Sequence, residues 1–387
     1  DNINGGAGTD TVTLTSVLAA DTSVAGFTLA GIEKLGVALT DGRAGTLDTL
    51  SVNMLNSPVS TIELSGQAAS GFVDSLTLSN VAAGTILSMS NAAQLSLNAT
   101  FVPAATASLT SDAVSVSLNG VGPATGTNNG NITVGGGMEI MNLEATGAAS
   151  RLATVIWGGS ALNITGDQNL TITSALAATA TDIDASAATG KVSFSVSDVA
   201  NRTSPLLADL IVQGGSGNDT LNVAGVTTAA RELNVNGGAG NDTVVIGQDL
   251  VGANTISLGD VLVGGDGTDT LSNTTARFTA LTKLKTTGVS GFEVISVADA
   301  LSGTVTPANA QATGITTVDL NAGGTGTLVM PAGAMTVSAN AALTGALTLT
   351  DTGTAITDSV SIVNRKTTAL DIGAGNAINT NGYETLN

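Results

Sequence analysis

The sequence contains neither cysteine nor histidine. That excludes disulfide frameworks, thiolate zinc sites, cysteine nucleophiles and every histidine-based triad. A chain without thiols suits an extracellular setting, where it has nothing to oxidise. Aromatics are few, with one tryptophan, one tyrosine and six phenylalanines in 387 residues, so Leu, Val, Ile and Ala must fill a narrow, regular core. Cations are scarce: eleven Lys and Arg stand against thirty Asp and Glu, the net charge is −19, and none of the cations lies between Arg43 and Arg151. Phosphate contacts need a basic footprint, so nucleic acid is not an expected partner. No run of about 18 apolar residues occurs, so no membrane-spanning segment is expected.

What the chain has in abundance is glycine, 49 residues of it, together with Thr, Ser, Ala, Val and Leu and only six prolines. This composition favours short strands and turns over helices. Alternating segments such as SLTLS at Ser75, TILSMS at Thr85, QLSLNA at Gln94, VSVSLNG at Val114 and VSFSVS at Val192 recur about every ten residues. The fold class expected is all-β, an elongated parallel β-helix or β-solenoid. A sandwich would need more tight hairpin turns than the sequence offers.

Four stretches repeat one pattern: GGAGTDTV from Gly5, GGSGNDTL from Gly214, GGAGNDTV from Gly237 and GGDGTDTL from Gly264. Asp219 to Asp242 is 23 residues and Asp242 to Asp269 is 27, each about one irregular coil of a parallel β-helix. An acid also precedes each motif aspartate, Asp1 and Asp260 by nine residues, Asp209 and Glu232 by ten. Read as a six-residue turn plus a three-residue strand, the nine-residue spacing sets paired carboxylates facing across a flattened helix. Glycine permits positive φ and leaves carbonyls uncovered, so these turns can aim backbone oxygens at a cation while Asp adds charge. Hard oxygen ligands without nitrogen or sulfur select calcium over zinc, iron or copper. A phosphate cradle is excluded by the missing GxGxxG-to-helix context and by the acidity.

Weaker copies of Asp-[Ser/Thr]-[Leu/Val] open segments at Asp48, Asp74 and Asp358, where the simplest reading is a strand start with Asp closing the turn. Asp182 and Asp184 alternate to one face of a strand and read as solvated. The basic cluster Arg277, Lys283 and Lys285, beside Phe278, reads as a solvated strand edge. Trp157 reads as core or interface.

The four glycine stretches resemble the calcium-binding RTX nonapeptide repeats of proteins exported by bacterial type I secretion. The resemblance implies calcium ligation by Asp10, Asp219, Asp242 and Asp269. It also implies turn carbonyls at Gly5, Gly6, Ala7 and Gly8, at Gly214, Gly215, Ser216 and Gly217, at Gly237, Gly238, Ala239 and Gly240, and at Gly264, Gly265, Asp266 and Gly267. Asp266 adds a further carboxylate. A second module follows the first and fourth motifs, AGIEKLGV at Ala30 and SGFEVISV at Ser290, and NGYETLN starts a third copy preceded by IGAGNAIN, where Ala377 replaces the motif aspartate. With DIDASAATGKVSFSV, this module resembles the RTX-type surface-layer proteins of Gram-negative bacteria.

The expected divisions are residues 1–50, an RTX-type turn with a β module; 51–205, a β-rich solenoid segment; 206–275, a calcium-binding β-roll-like segment; and 276–387, a C-terminal β module. Starting inside a motif and stopping inside a strand is what a piece of a longer polypeptide would do. The function expected is a non-catalytic structural subunit of a calcium-dependent surface layer on the cell exterior. Its partners would be identical subunits and, through an anchoring region elsewhere, cell-surface glycan or lipopolysaccharide. The alternative is the stalk or matrix region of a large secreted RTX adhesin. A polysaccharide-active enzyme on a β-helix would need a groove of cationic and aromatic residues that the sequence does not assemble.

Overall fold

A computed structural model describes residues 2–24, 27–41, 47–67, 73–102, 112–122, 130–135, 137–197, 210–227, 231–250, 259–282, 287–309, 314–353, 357–365 and 377–387. The fold is a β-solenoid, almost wholly parallel β with very little helix. The chain divides into two compact units, Asp1–Ser195 and Val196–Asn387, so the boundaries expected at 50 and 275 fall inside units.

In the first unit, apart from the parallel pair Asn2–Asn4 and Thr28–Ala30, successive strands alternate between two parallel sheets, so that each coil lays one strand on each. One sheet runs through Thr11–Leu18, Lys34–Asp41, Thr61–Gln67, Ile86–Ala93, Ala113–Asn119, Ile140–Ala145, Ala161–Gly166 and Asp182–Ala188. The facing sheet runs from Thr22–Val24 through Thr49–Asn53, Asp74–Val81 and Leu95–Phe101 to Leu170–Ile172 and Val192. Period-two alternation produces this directly: in Thr61–Gln67 the residues Ile62 and Leu64 point inward while Thr61, Glu63 and Ser65 face outward. Parallel register then stacks like on like. Leu35, Ile62 and Leu87 form one buried column, and Leu50, Leu76, Leu97 and Ile132 form another on the facing sheet. Each such side chain contributes about 1.5–3 kcal/mol of burial, so many short identical contacts do the work of a bulky core.

Outward-facing polar residues also stack. Thr154 Oγ1 donates to Asn131 Oδ1 at 2.8 Å, Asn131 Nδ2 to Ser96 Oγ at 2.9 Å, and Asn163 Nδ2 to Asn142 Oδ1 at 2.8 Å. Asp182 and Asp184 are exposed on their strand, as expected, and Trp157 is buried.

The second unit pairs Leu210–Gln213, Leu233–Ala239, Val261–Asp266 and Val289–Ser290 in one sheet, opposite Thr220–Gly225, Thr243–Ile246, Thr270–Asn273 and Val294–Val297. The facing sheet continues through Thr317–Leu320, Ala334–Ala339, Ser359–Asn364 and Thr385–Leu386, and Leu301–Val305, Gly324–Met330, Leu343–Asp351 and Ile378–Asn381 form a further sheet. Leu221, Val244, Leu271, Ile295, Val318 and Val337 stack as its inner column. Thr220 pairs with Thr243 and Thr243 with Thr270, so the 23- and 27-residue offsets are single coils.

Arg277 and Phe278 differ from expectation. They lie on a short helix, Thr275–Thr279, not on a strand edge. Phe278 is buried and Arg277 pairs with Asp249 at 3.2 Å, so core filling overrides the edge reading. Lys283 and Lys285 lie outside the described residues.

Candidate metal centre: the acid-lined corners

Each glycine motif is the end of one strand, a corner, and the start of the next strand. Leu233–Ala239 carries Gly237 and Gly238 at its end, the corner holds Asp242, and Thr243 opens the facing strand. In Val261–Asp266 the nine residues from Asp260 to Asp269 are a six-residue strand and then a corner. The expected division, turn first and short strand after, is reversed. Asp260 and Asp269 therefore stand at opposite ends of one strand, roughly 20 Å apart at ~3.3 Å per residue.

The motif aspartates point into the corner and pin neighbouring coils together. Asp242 Oδ1 accepts the Asp219 N–H at 2.7 Å, Asp269 Oδ1 accepts the Asp242 N–H at 2.7 Å, and Glu293 Oε2 accepts the Asp269 N–H at 2.8 Å. Asp219, Asp242 and Asp269 are at most 1% exposed. Each coil thus closes an otherwise orphaned amide of the coil before it with a charge-assisted bond.

The glycines follow from the same stacking. A Cβ on Gly237 would stand 2.6 Å from Asp242 Oδ2 and would overlap the Gly264 carbonyl. Gly265 has φ +115° and its Cβ position is occupied by the Gly238 carbonyl. The turns are rich in glycine because consecutive corners lie backbone against backbone, with the carboxylate filling the space a side chain would take.

The same pin recurs in the first glycine motif and beyond the glycine motifs. Glu33 accepts from the Asp10 N–H at 2.7 Å, Asp74 from Asp48 at 3.1 Å, Glu139 from Asp112 at 2.9 Å and Glu384 from Asp358 at 2.9 Å. This explains the module with Gly, an apolar residue and Glu. The glutamate is the last acid of its column, and in the following coil the residue beside it is Ser60 or Thr316, whose N–H bonds the glutamate carbonyl. Glu384 is pinned to Asp358, so the third copy takes its aspartate there and not from the neighbourhood of Ala377, which immediately precedes strand Ile378–Asn381. Sequence reasoning missed Asp112 and Glu139. Their signal was present in GGGMEIM, an acid between apolar residues 27 positions after an aspartate.

Burial pushes the Asp242 carboxyl up to about 7, against the opposing effect of the Asp219 N–H, and the charges of Asp219 and Asp269 push the same way as burial. Burial also raises Asp269, with Glu293 and Asp266 adding to it. Asp219 Oδ2 accepts the Gly215 N–H at 2.8 Å. The second oxygens of Asp10, Asp242 and Asp269 are buried with no hydrogen-bond partner among the described residues. Those oxygens fit a hard cation: they are carboxyl oxygens that are dehydrated and lack a donor, and a bound cation would favour their ionised form. Among the described residues no three acidic side chains converge as a ready cage, so backbone oxygens would have to complete any coordination shell.

The remaining candidates divide. Gly5 to Gly8 form the corner above Asp10, with the Gly6 N–H held by Asn4 Oδ1 at 3.1 Å. Ser216 and Asp266 are exposed, and the carboxylate of Asp266 stands outside the buried column. Asp260 belongs to a second buried group, accepting the Leu233 N–H at 2.8 Å and a bond from Gln248 Nε2 at 3.3 Å, while Gln248 also reaches the Arg231 carbonyl. Asp1 and Asp209 lie outside the described residues.

Comparison with protein-family models, with curated proteins and with solved structures found no match. Among the described residues no helix is long and apolar enough to cross a membrane.

Proposed function

We propose that this chain is a structural subunit of a calcium-dependent bacterial surface layer, secreted to the cell exterior and assembled with copies of itself. The observation that carries the reading is the buried column Asp219, Asp242, Asp269 and Glu293, in which two donorless carboxylate oxygens sit in a chain of net charge −19. A calcium ion at the corners would supply the positive charge and oxygen coordination that these atoms lack. Separate ions would sit at the separate corners, each held by the corner's own aspartate, Asp10, Asp219, Asp242 or Asp269, with the carbonyls of its glycine turn. A β-solenoid suits the role because its coils carry load along a continuous backbone ladder and present long, regular faces to a neighbour.

Electron microscopy and light scattering of the protein in calcium, in chelator, and in chelator with high NaCl test the reading. Sheets in calcium and dispersed molecules in chelator support it. Isolated fibres in place of sheets would favour the adhesin stalk, and ordered sheets in chelator would defeat the calcium mechanism.

A further inference from the structure

A second group of acids lies away from the glycine turns. Strand Leu343–Asp351 ends at Asp351, and Asp358 immediately precedes strand Ser359–Asn364. One oxygen of each carboxyl is held by backbone: Asp351 Oδ1 accepts the Gly353 N–H at 2.8 Å, and Asp358 Oδ1 accepts the Gly333 N–H at 2.8 Å. The other two oxygens converge. Asp351 Oδ2 and Asp358 Oδ2 each lie 3.0 Å from the position a Cβ on Gly353 would occupy.

A third oxygen joins them from the next coil. Glu384 Oε2 accepts the Asp358 N–H at 2.9 Å, and a Cβ on Gly382 would stand 3.2 Å from the Asp351 Cβ, so Tyr383, between Gly382 and Glu384, lies beside the pair. Its hydroxyl is buried, and neither it nor either Oδ2 has a hydrogen-bond partner among the described residues. Asp358 is 2% exposed, so water does not solvate its free oxygen. Burial raises the Tyr383 phenol far above its ordinary value and both aspartates raise it further, so it stays a neutral oxygen.

Two carboxylates this close cannot both stay ionised without a counter-charge. A proton shared between the aspartates would settle their repulsion but leave the phenol oxygen without a partner. A bound cation serves all three oxygens together.

We propose that Asp351, Asp358 and Tyr383 form a site for a hard divalent cation of calcium's class, bound through oxygen alone. The stretch DTGTAITD from Asp351 to Asp358 has one glycine and not the paired glycines of the repeated motif. The site stands independently of the calcium reading of those turns.

Tyr383 is the single tyrosine of the chain, which makes it a private reporter. Terbium, a luminescent stand-in for calcium, is added to the purified protein and its emission read on tyrosine excitation. We expect sensitised emission that calcium displaces, and that falls at least tenfold in Tyr383→Phe, Asp351→Asn and Asp358→Asn. Asparagine keeps the Oδ1 acceptor, so the backbone bonds survive, and circular dichroism checks the fold. If Asp358→Asn unfolds, Asp351→Asn decides, because Asp351 pins no other coil. Asp242→Asn should leave the signal unchanged. Absence of tyrosine-sensitised emission, or emission that survives both asparagine variants, overturns the site. Calcium-raised melting without that emission would overturn this site alone and leave the glycine-turn reading standing.

Discussion

Asp242 combines three roles in one side chain: it pins the coil before it, fills the space beside Gly237, and carries a charge into a dry corner. Its carboxyl titrates near 7 when folded, above its unfolded range. Because the folded pKa is raised, the folded state holds the proton more tightly. In the absence of divalent cation, this group's contribution to stability is therefore fully present below about pH 4 and is lost as pH rises through 7, at up to about 1.4 kcal/mol per pH unit. Calcium reverses the sign, since it favours the ionised carboxylate and its contribution is lost on acidification. Melting curves between pH 4 and 8, with chelator and with calcium, should slope in opposite directions, and Asp242→Asn should flatten the chelator curve. Glycine is equally constrained. Gly265→Ala meets the Gly238 carbonyl at a φ unsuited to a side chain, and we expect about 2–4 kcal/mol of destabilisation by chemical denaturation.

The corner-to-strand unit generalises this. Asp, then Ser or Thr, then Leu or Val places an acid in the corner, a hydroxyl outside and an apolar side chain in the core, as in Asp74, Ser75 and Leu76 or Asp242, Thr243 and Val244. Asp74→Ala and Asp242→Ala each free the amide of the preceding coil, so both should lose about 1–3 kcal/mol of stability. Calcium separates them. Only Asp242 lies in a full glycine turn, so calorimetry should find its alanine variant the more weakened in calcium binding. A site filled to ten times its dissociation constant adds about 1.4 kcal/mol, so millimolar calcium should raise the melting temperature more than equal magnesium does. An unchanged melting curve would count against metal at the corners.

Across the whole molecule the net charge of −19 makes identical subunits repel at contact distance. Monovalent salt screens that repulsion but bridges no carboxylates, so chelator with high NaCl should restore assembly poorly relative to calcium. Scattering intensity across the three conditions measures the difference.

Much of this was legible along the chain. Alternation in segments such as SLTLS and VSFSVS, the 23- and 27-residue offsets, and the absence of bulky aromatics suffice for a parallel solenoid, because period-two burial and coil length are local properties. The repeated aspartates were legible as one corner type for the same reason. Which amide each acid closes was not, since Asp112 with Glu139 and Asp358 with Glu384 meet across a coil whose length varies. Nor was the convergence of Asp351 and Asp358 with Tyr383, or the place of Asp260 at the far end of a strand from Asp269. These depend on register between coils, and register is set by how inner columns such as Leu221, Val244 and Leu271 stack in three dimensions.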